Sequence, residues 1–232
     1  MRTLAILPIK GFDAAKQRLS GLLASGSRHA LAQAMFLDVL SSLGRSLGVD
    51  AVVVVTCDRE AEAAAHGGRV ITLPDEAQAG QSAAARIGLR HAVSSGFERA
   101  LLVPGDTPMM DPTEIDALLD RCERDALDLA VVPDRSGEGT NALVISPPGA
   151  FDPSFGPGSF ERHLRVAGES GLRHRVEPVP SLAHDVDTPE DLSELASIVE
   201  ECRGVAPRTR GAIRQLDRWR IAAHLAPAGA PT

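Results

Sequence analysis

The feature that most constrains the fold is a series of short, nearly unbroken apolar runs. They fall at 4–7, 51–56, 70–73, 100–103, 129–132, 142–145 and 176–179. A strand with one wet face alternates apolar and polar residues. Runs of Val, Ile and Leu without that alternation need cover on both faces. Helical patterns separate four of the first five runs. The expected class is therefore α/β: a Rossmann-like, mostly parallel sheet with helices on both faces. Such sheets bind ligands beyond the carboxyl ends of their strands, so residues just past a strand end carry the functional information.

The helices between the runs have start signals. Asp111-Pro112-Thr113-Glu114 offers an N-cap, a proline at the first helical position and an acid at the capping-box position. Ile115, Leu118, Leu119 and Cys122 then recur with helical spacing. Thr188-Pro189-Glu190-Asp191 repeats the start signal, and Leu192, Leu195, Ala196 and Val199 repeat the spacing. A long helix is expected from near Ser27 through Leu47. Ser82 is expected to cap a helix reaching Val93, and Ser159 one that ends near Ala167. Between Asp134 and Gly158, Gly and Pro are dense, as in an inserted loop region around one strand.

Composition excludes several function classes. With 232 residues the chain can bury one core plus a small appendage. No apolar run reaches the roughly 18 residues of a membrane span, and the first ten residues do not read as a signal peptide. The net charge of −7 disfavours a general nucleic-acid binder. Cys57, Cys122 and Cys202 have no pair spacing, which points away from disulfides and toward the cytoplasm. Cys57 reads as a small buried residue. The seven histidines show no metal spacing. Asp13, Asp58 and Glu138 read either as functional or as polar loop residues.

Basic residues are unevenly chosen. Of 24, only Lys10 and Lys16 are lysine. Both lie just after the first strand, with Arg18 beside them. A strand-to-helix junction carrying three cations suits a triphosphate where no Gly-rich phosphate loop exists. The competing reading is a solvated basic turn. Asp106 comes after the fourth strand in Pro104-Gly105-Asp106-Thr107. In His184-Asp185-Val186-Asp187, extended backbone would put both carboxylates on one face. Asp106, Asp185 and Asp187 together suggest a Mg²⁺ site. Taken singly, each reads equally well as a turn or as a helix-terminal acid. Gly139-Thr140-Asn141 and Phe155-Gly156-Pro157-Gly158-Ser159 could hold a phosphate or carboxylate, or be a plain turn and cap. Gly80 and Ser82 lie in a small-residue stretch where a base could rest on backbone.

In order along the chain, Leu7-Pro8-Ile9-Lys10, Ala15-Lys16-Gln17-Arg18-Leu19, Pro104-Gly105-Asp106-Thr107-Pro108, Gly139-Thr140-Asn141, Phe155-Gly156-Pro157-Gly158-Ser159-Phe160 and Asp185-Val186-Asp187-Thr188-Pro189 resemble the guanylyltransferases of coenzyme F-420 biosynthesis. The resemblance spans about residues 3 to 210. It implies a glycosyltransferase-A-like nucleotidyltransferase domain over 1–210. The tail has no counterpart in the resemblance; its composition, ending Ala-Pro-Ala-Gly-Ala-Pro-Thr, makes 211–232 an extension with an expected helix through 213–216 and a disordered end. The resemblance implies transfer of GMP from GTP to phosphoenolpyruvate or 2-phospho-L-lactate. By the same resemblance, Asp106, Asp185 and Asp187 hold Mg²⁺, Thr140, Gly156 and Ser159 bind the acceptor, and Lys10 and Lys16 belong to the basic loop. Neither nucleic acid nor membrane is an expected partner; a homodimer is allowed. A 3-phosphoglycerate guanylyltransferase, a molybdopterin or sugar-phosphate nucleotidyltransferase, and a non-catalytic nucleotide-binding regulatory subunit are the other readings.

Overall fold

A computed structural model describes residues 1–65, 67–202 and 204–225, with side chains described through Leu216. His66 and the expected disordered end after 225 lie outside the described residues.

Seven strands form one sheet: β1 (Thr3–Ile9), β2 (Ala51–Thr56), β3 (Val70–Pro74), β4 (Arg99–Leu102), β5 (Leu129–Pro133), β6 (Thr140–Ile145) and β7 (His174–Val176). Their order is β3-β2-β1-β4-β6-β5-β7, and β6 alone runs antiparallel to its neighbours. The helices are α1 (Ser25–Arg45), α2 (Arg59–Ala64), α3 (Gln81–Ser94), α4 (Pro112–Arg124), α5 (Ser159–Glu169), α6 (Pro189–Glu201) and α7 (Pro207–Leu225). No helix among the described residues is long and apolar enough to cross a membrane.

The unbroken apolar runs are explained by two cores. Ala5, Leu7 and Ile9 of β1 face α1, α2 and α4, where Phe36, Ala61 and Leu118 meet them. Leu4 and Ile6, on the opposite face, pack with Ala85, Leu89 and Ala167 of α3 and α5. Along the central strands β1, β2, β4, β5 and β6, side chains are thus buried on both faces. Gly88 lies where α3 crosses β1, and a Cβ there would run into the Ile6 side chain. A third core joins α1 to α6 and α7 through Leu31, Met35, Leu195, Val199 and Ile213. Buried Asp38 of α1 caps α7 by accepting from Arg208 N and Thr209 N at 3.2 and 2.8 Å. The helix expected through 213–216 is therefore present, and it runs through the expected domain boundary at 210–211.

Several local expectations need correction. The capping box forms at Thr188 and Asp191. At α4, Asp111 caps alone, because the Glu114 carboxylate accepts from Ser181 N instead. The caps of α3 and α5 are Gly80 and Gly158, each at positive φ, so Ser82 and Ser159 sit inside the helices. The last strand lies at 174–176, not 176–179: Pro178 and Pro180 have no N–H to donate, so pairing moves upstream onto an exposed edge. Cys57 is exposed rather than buried.

The reversed strand β6 brings a new set of side chains to the ligand-binding edge of the sheet. It returns from β5 through a turn in which Asp134 accepts from Glu138 N and Gly139 N. Because β6 is antiparallel, its first residues, Thr140 and Asn141, stand at the edge where β1, β2 and β4 end.

Candidate active site

A cleft of about 390 Å³ opens at that edge. Lys10, Lys16, Asp106 and Asp187 line it, together with Asp75 and Gly80 from the turn between β3 and α3. No α-helix starts at the basic loop: two 3₁₀ turns, Phe12–Ala14 and Gln17–Leu19, precede α1. The expected array of helix N–H groups is therefore missing there, and side chains carry the positive charge. Asp58 holds the loop by accepting from Phe12 N at 2.8 Å while capping α2.

Lys16 adopts the left-handed conformation (φ 54°, ψ 39°). That backbone costs an L-residue about 1 kcal/mol and turns the side chain inward. The side chain is only 6 % exposed; its ammonium pairs with Asp106 and, at 3.1 Å, with Asp187, 171 residues away in the chain. Arg18 reaches Asp187 at 3.7 Å. Burial pulls the Lys16 pKa down, but Asp106 and then Asp187 outweigh it and hold the ammonium above its ordinary value.

Asp185 is held differently. Asn141 Nδ2 donates to it at 3.2 Å and to Leu182 O at 2.7 Å. Burial raises the Asp185 pKa, and the Asp106 and Asp187 carboxylates add to the rise against the Asn141 hydrogen bond. Among the described residues no three acidic, His or Cys side chains are gathered as a ready metal site. The expected trio is thus split, with two carboxylates on Lys16 and the third on Asn141. The donor chemistry still suits a hard divalent cation: Asp106 and Asp187 already converge on one cation, and Asp185 senses both.

Thr140, Gly156 and Ser159 do not line this cleft. Thr140 adjoins Asn141, so β6 links them to the carboxylates. Thr140 Oγ1 lies 3.0 Å from His163 Nδ1, and His163 Nε2 accepts from Ser154 N at 2.9 Å. A backbone N–H can only donate, so the imidazole proton sits on Nδ1 and points to Thr140 Oγ1. The Thr140 hydroxyl hydrogen is then available to another acceptor. Gly156 sits at φ 112°, a turn conformation suited to glycine. Ser82 does not line the cleft; its Oγ accepts from Phe155 N at 2.9 Å and ties α3 to the Gly156 loop.

His163 is 1 % exposed, with the Phe151 and Phe155 rings edge-on at 5.5 and 5.4 Å. Burial, helped by the Arg162 charge, lowers its pKa from 6.5 to about 4. The unfolded chain therefore takes up this proton first, and stability falls as pH drops from 6.5 to about 4. The loss reaches roughly 3 kcal/mol and then levels off. Urea denaturation at pH 7 and pH 5 should show this slope in the wild type and a shallower one in His163→Gln. Equal slopes in the two proteins would refute the assignment.

Sequence reasoning missed His163 and Asp75, and it named Asn141 within Gly139-Thr140-Asn141 without its bond to Asp185. His163 lies four residues after Ser159, on the same face of α5. Asp75 comes directly after a strand end. These positions are visible in the sequence, but neither names a partner.

A family model described as "Guanylyl transferase CofC like" matches residues 3–204. The chain belongs to the CofC family of guanylyl transferases. A phosphoenolpyruvate guanylyltransferase of Conexibacter woesei is 48 % identical over 94 % of this chain and 98 % of its own length. A 3-phospho-D-glycerate guanylyltransferase of Phenylobacterium zucineum is 40 % identical over 83 % of this chain and 88 % of its own. A 2-phospho-L-lactate guanylyltransferase of Methanothermobacter thermautotrophicus is 33 % identical over 84 % of each. Among solved structures, a nucleotidyl transferase from Methanothermobacter superposes with a TM-score of 0.62 at 19 % identity, covering 86 % of this chain and 98 % of that one. The nucleotidyltransferase fold is therefore the one expected from the resemblance, and the CofC chain is an enzyme of guanylyl transfer.

Proposed function

We propose that this CofC enzyme transfers GMP from GTP to phosphoenolpyruvate, giving enolpyruvyl-diphospho-5'-guanosine and diphosphate, in coenzyme F-420 biosynthesis. The observation that carries the reading is the meeting of Lys16 with Asp106 and Asp187 in one cleft at the carboxyl edge of the sheet. The Conexibacter relative favours phosphoenolpyruvate as acceptor.

A phosphate oxygen of the acceptor attacks the α-phosphorus of GTP. One P–O bond forms to the acceptor, and the bond to the β-phosphate oxygen breaks. The attacking phosphate is ionised at neutral pH, so no general base is required. Both reactants are anions, and the chain must offset their repulsion. Lys10, Lys16 and Arg18 neutralise the departing diphosphate. Thr140 donates its free hydroxyl hydrogen to the acceptor, with Gly156 and Ser159 beside it. Gly80 leaves the nucleotide room at the start of α3. Asp106, Asp187 and Asp185 would hold Mg²⁺, which supplies charge neutralisation and alignment of the two phosphates. The free cysteines are in keeping with a reducing cytoplasm.

An assay of GTP with phosphoenolpyruvate, 2-phospho-L-lactate and 3-phospho-D-glycerate, read by product mass, tests the acceptor. The phosphoenolpyruvate adduct should dominate kcat/KM by about 10-fold or more. Preferential turnover of either other acceptor would replace it.

A further inference from the structure

Asp75 comes directly after β3 and is 8 % exposed. Its Oδ1 is shut off from solvent and has no hydrogen-bond partner in the protein. Its backbone is fully occupied: the N–H donates to Thr56 O at 3.1 Å, and the C=O accepts from Gln78 N at 3.3 Å. An unpaired carboxylate oxygen in such a place costs stability and calls for a donor from outside the fold. Asp75 lines the cleft that also holds Lys16, Asp106 and Asp187, beside Gln78, Gly80 and Ala84.

Position and chemistry narrow the donor. β3 and β4 are three strands apart, about 14 Å, a span on the scale of a nucleotide. With phosphates near Asp106, the base falls near Asp75. Gly80, at φ 97°, and Ala84 leave space for a flat ring. An ionised carboxylate can only accept. Guanine places two adjacent donors, N1–H and the 2-amino group, on its pairing edge. Adenine and cytosine each set an acceptor nitrogen beside their amino donor there, and uracil flanks its single N–H with two carbonyls.

We propose that Asp75 selects the base of the nucleotide donor by accepting N1–H and the 2-amino group of guanine. This rests on the reading of GTP as that donor. Asp75 is then a specificity residue distant from the reacting phosphorus.

The test measures diphosphate release with GTP, ITP and XTP, at saturating acceptor, for wild type and Asp75→Asn. ITP lacks the 2-amino group. XTP carries an acceptor oxygen in its place, which matches the donor that Asn introduces. Wild type should prefer GTP to ITP by about 10-fold or more in kcat/KM. Asp75→Asn should lose about 100-fold with GTP and prefer XTP to GTP. A variant that keeps the wild-type order of nucleotides overturns the proposal. If the variant does not fold, the wild type decides: equal use of GTP and ITP overturns it, and the expected preference supports it. A wild-type preference for a different nucleoside triphosphate overturns the parent reading together with this one. A wild-type preference for GTP with an unmoved variant overturns this one alone.

Discussion

Asp106→Asn lowers turnover by about 10³-fold, equivalent to about 4 kcal/mol of transition-state stabilisation. The fold survives the change. The Lys16 ammonium is buried between Asp106 and Asp187, and with Asn at 106 it keeps Asp187 as an ionised partner at 3.1 Å. Breaking a buried pair is costly chiefly when it leaves a charge with no partner, which does not happen here. Asn keeps the shape and loses the charge. Asp187→Asn acts in the same way. Diphosphate release gives the rate, circular dichroism checks the fold, and Mn²⁺ titration of the nucleotide-free protein should show weakened binding in both variants. Near-wild-type release from both would remove these carboxylates from the mechanism.

The legibility of this chain varies with the range of the interactions. Strands buried on both faces are visible as apolar runs, because the residues of β1 and β2, apart from Thr3 and Thr56 at their ends, meet a helix on one face or the other. The start of α6 is visible because its capping box is closed by residues three apart. The start of α4 is half visible, since Glu114 is engaged by Ser181, 67 residues away. The caps of α3 and α5 mislead for a related reason. A serine is a good cap by propensity, but at both places a glycine with positive φ turns the chain first, and Ser82 is left for a tertiary contact with Phe155. In the site, Lys16, Asp106, Asp185 and Asp187 are legible as residue types placed after strands. Their partition is not. No local pattern states that one ammonium bridges residues 106 and 187 while Asn141 takes residue 185. Buried polar side chains such as His163 and Asp75 are the least legible. A single histidine or aspartate has no period, and its meaning appears only with its partners or with their absence.

Lys16→Ala separates two roles of one ammonium. Without it Asp106 and Asp187 keep, among the described residues, Arg18 as an ion-pair partner, and Arg18 is exposed and reaches only Asp187, at 3.7 Å. Like charges so placed repel, and a divalent cation relieves them. Mn²⁺ should therefore bind the nucleotide-free variant more tightly than the wild type. Turnover should move the other way. The variant loses a buried charge that the departing diphosphate meets, and kcat/KM for GTP should fall by about 100-fold, near 2.7 kcal/mol. The KM for the acceptor should stay within about 2-fold, because Thr140 and its His163 partner lie outside this cleft. Lys16→Arg should not restore the rate. The side chain occupies a closed space between two carboxylates, and a planar fork cannot replace a compact ammonium there. Steady-state kinetics in both substrates and calorimetric Mn²⁺ titration together make the distinction. Unchanged kcat/KM for GTP would strip Lys16 of its part in the chemistry, and weaker Mn²⁺ binding would show that the ammonium supports the carboxylates instead of competing for them.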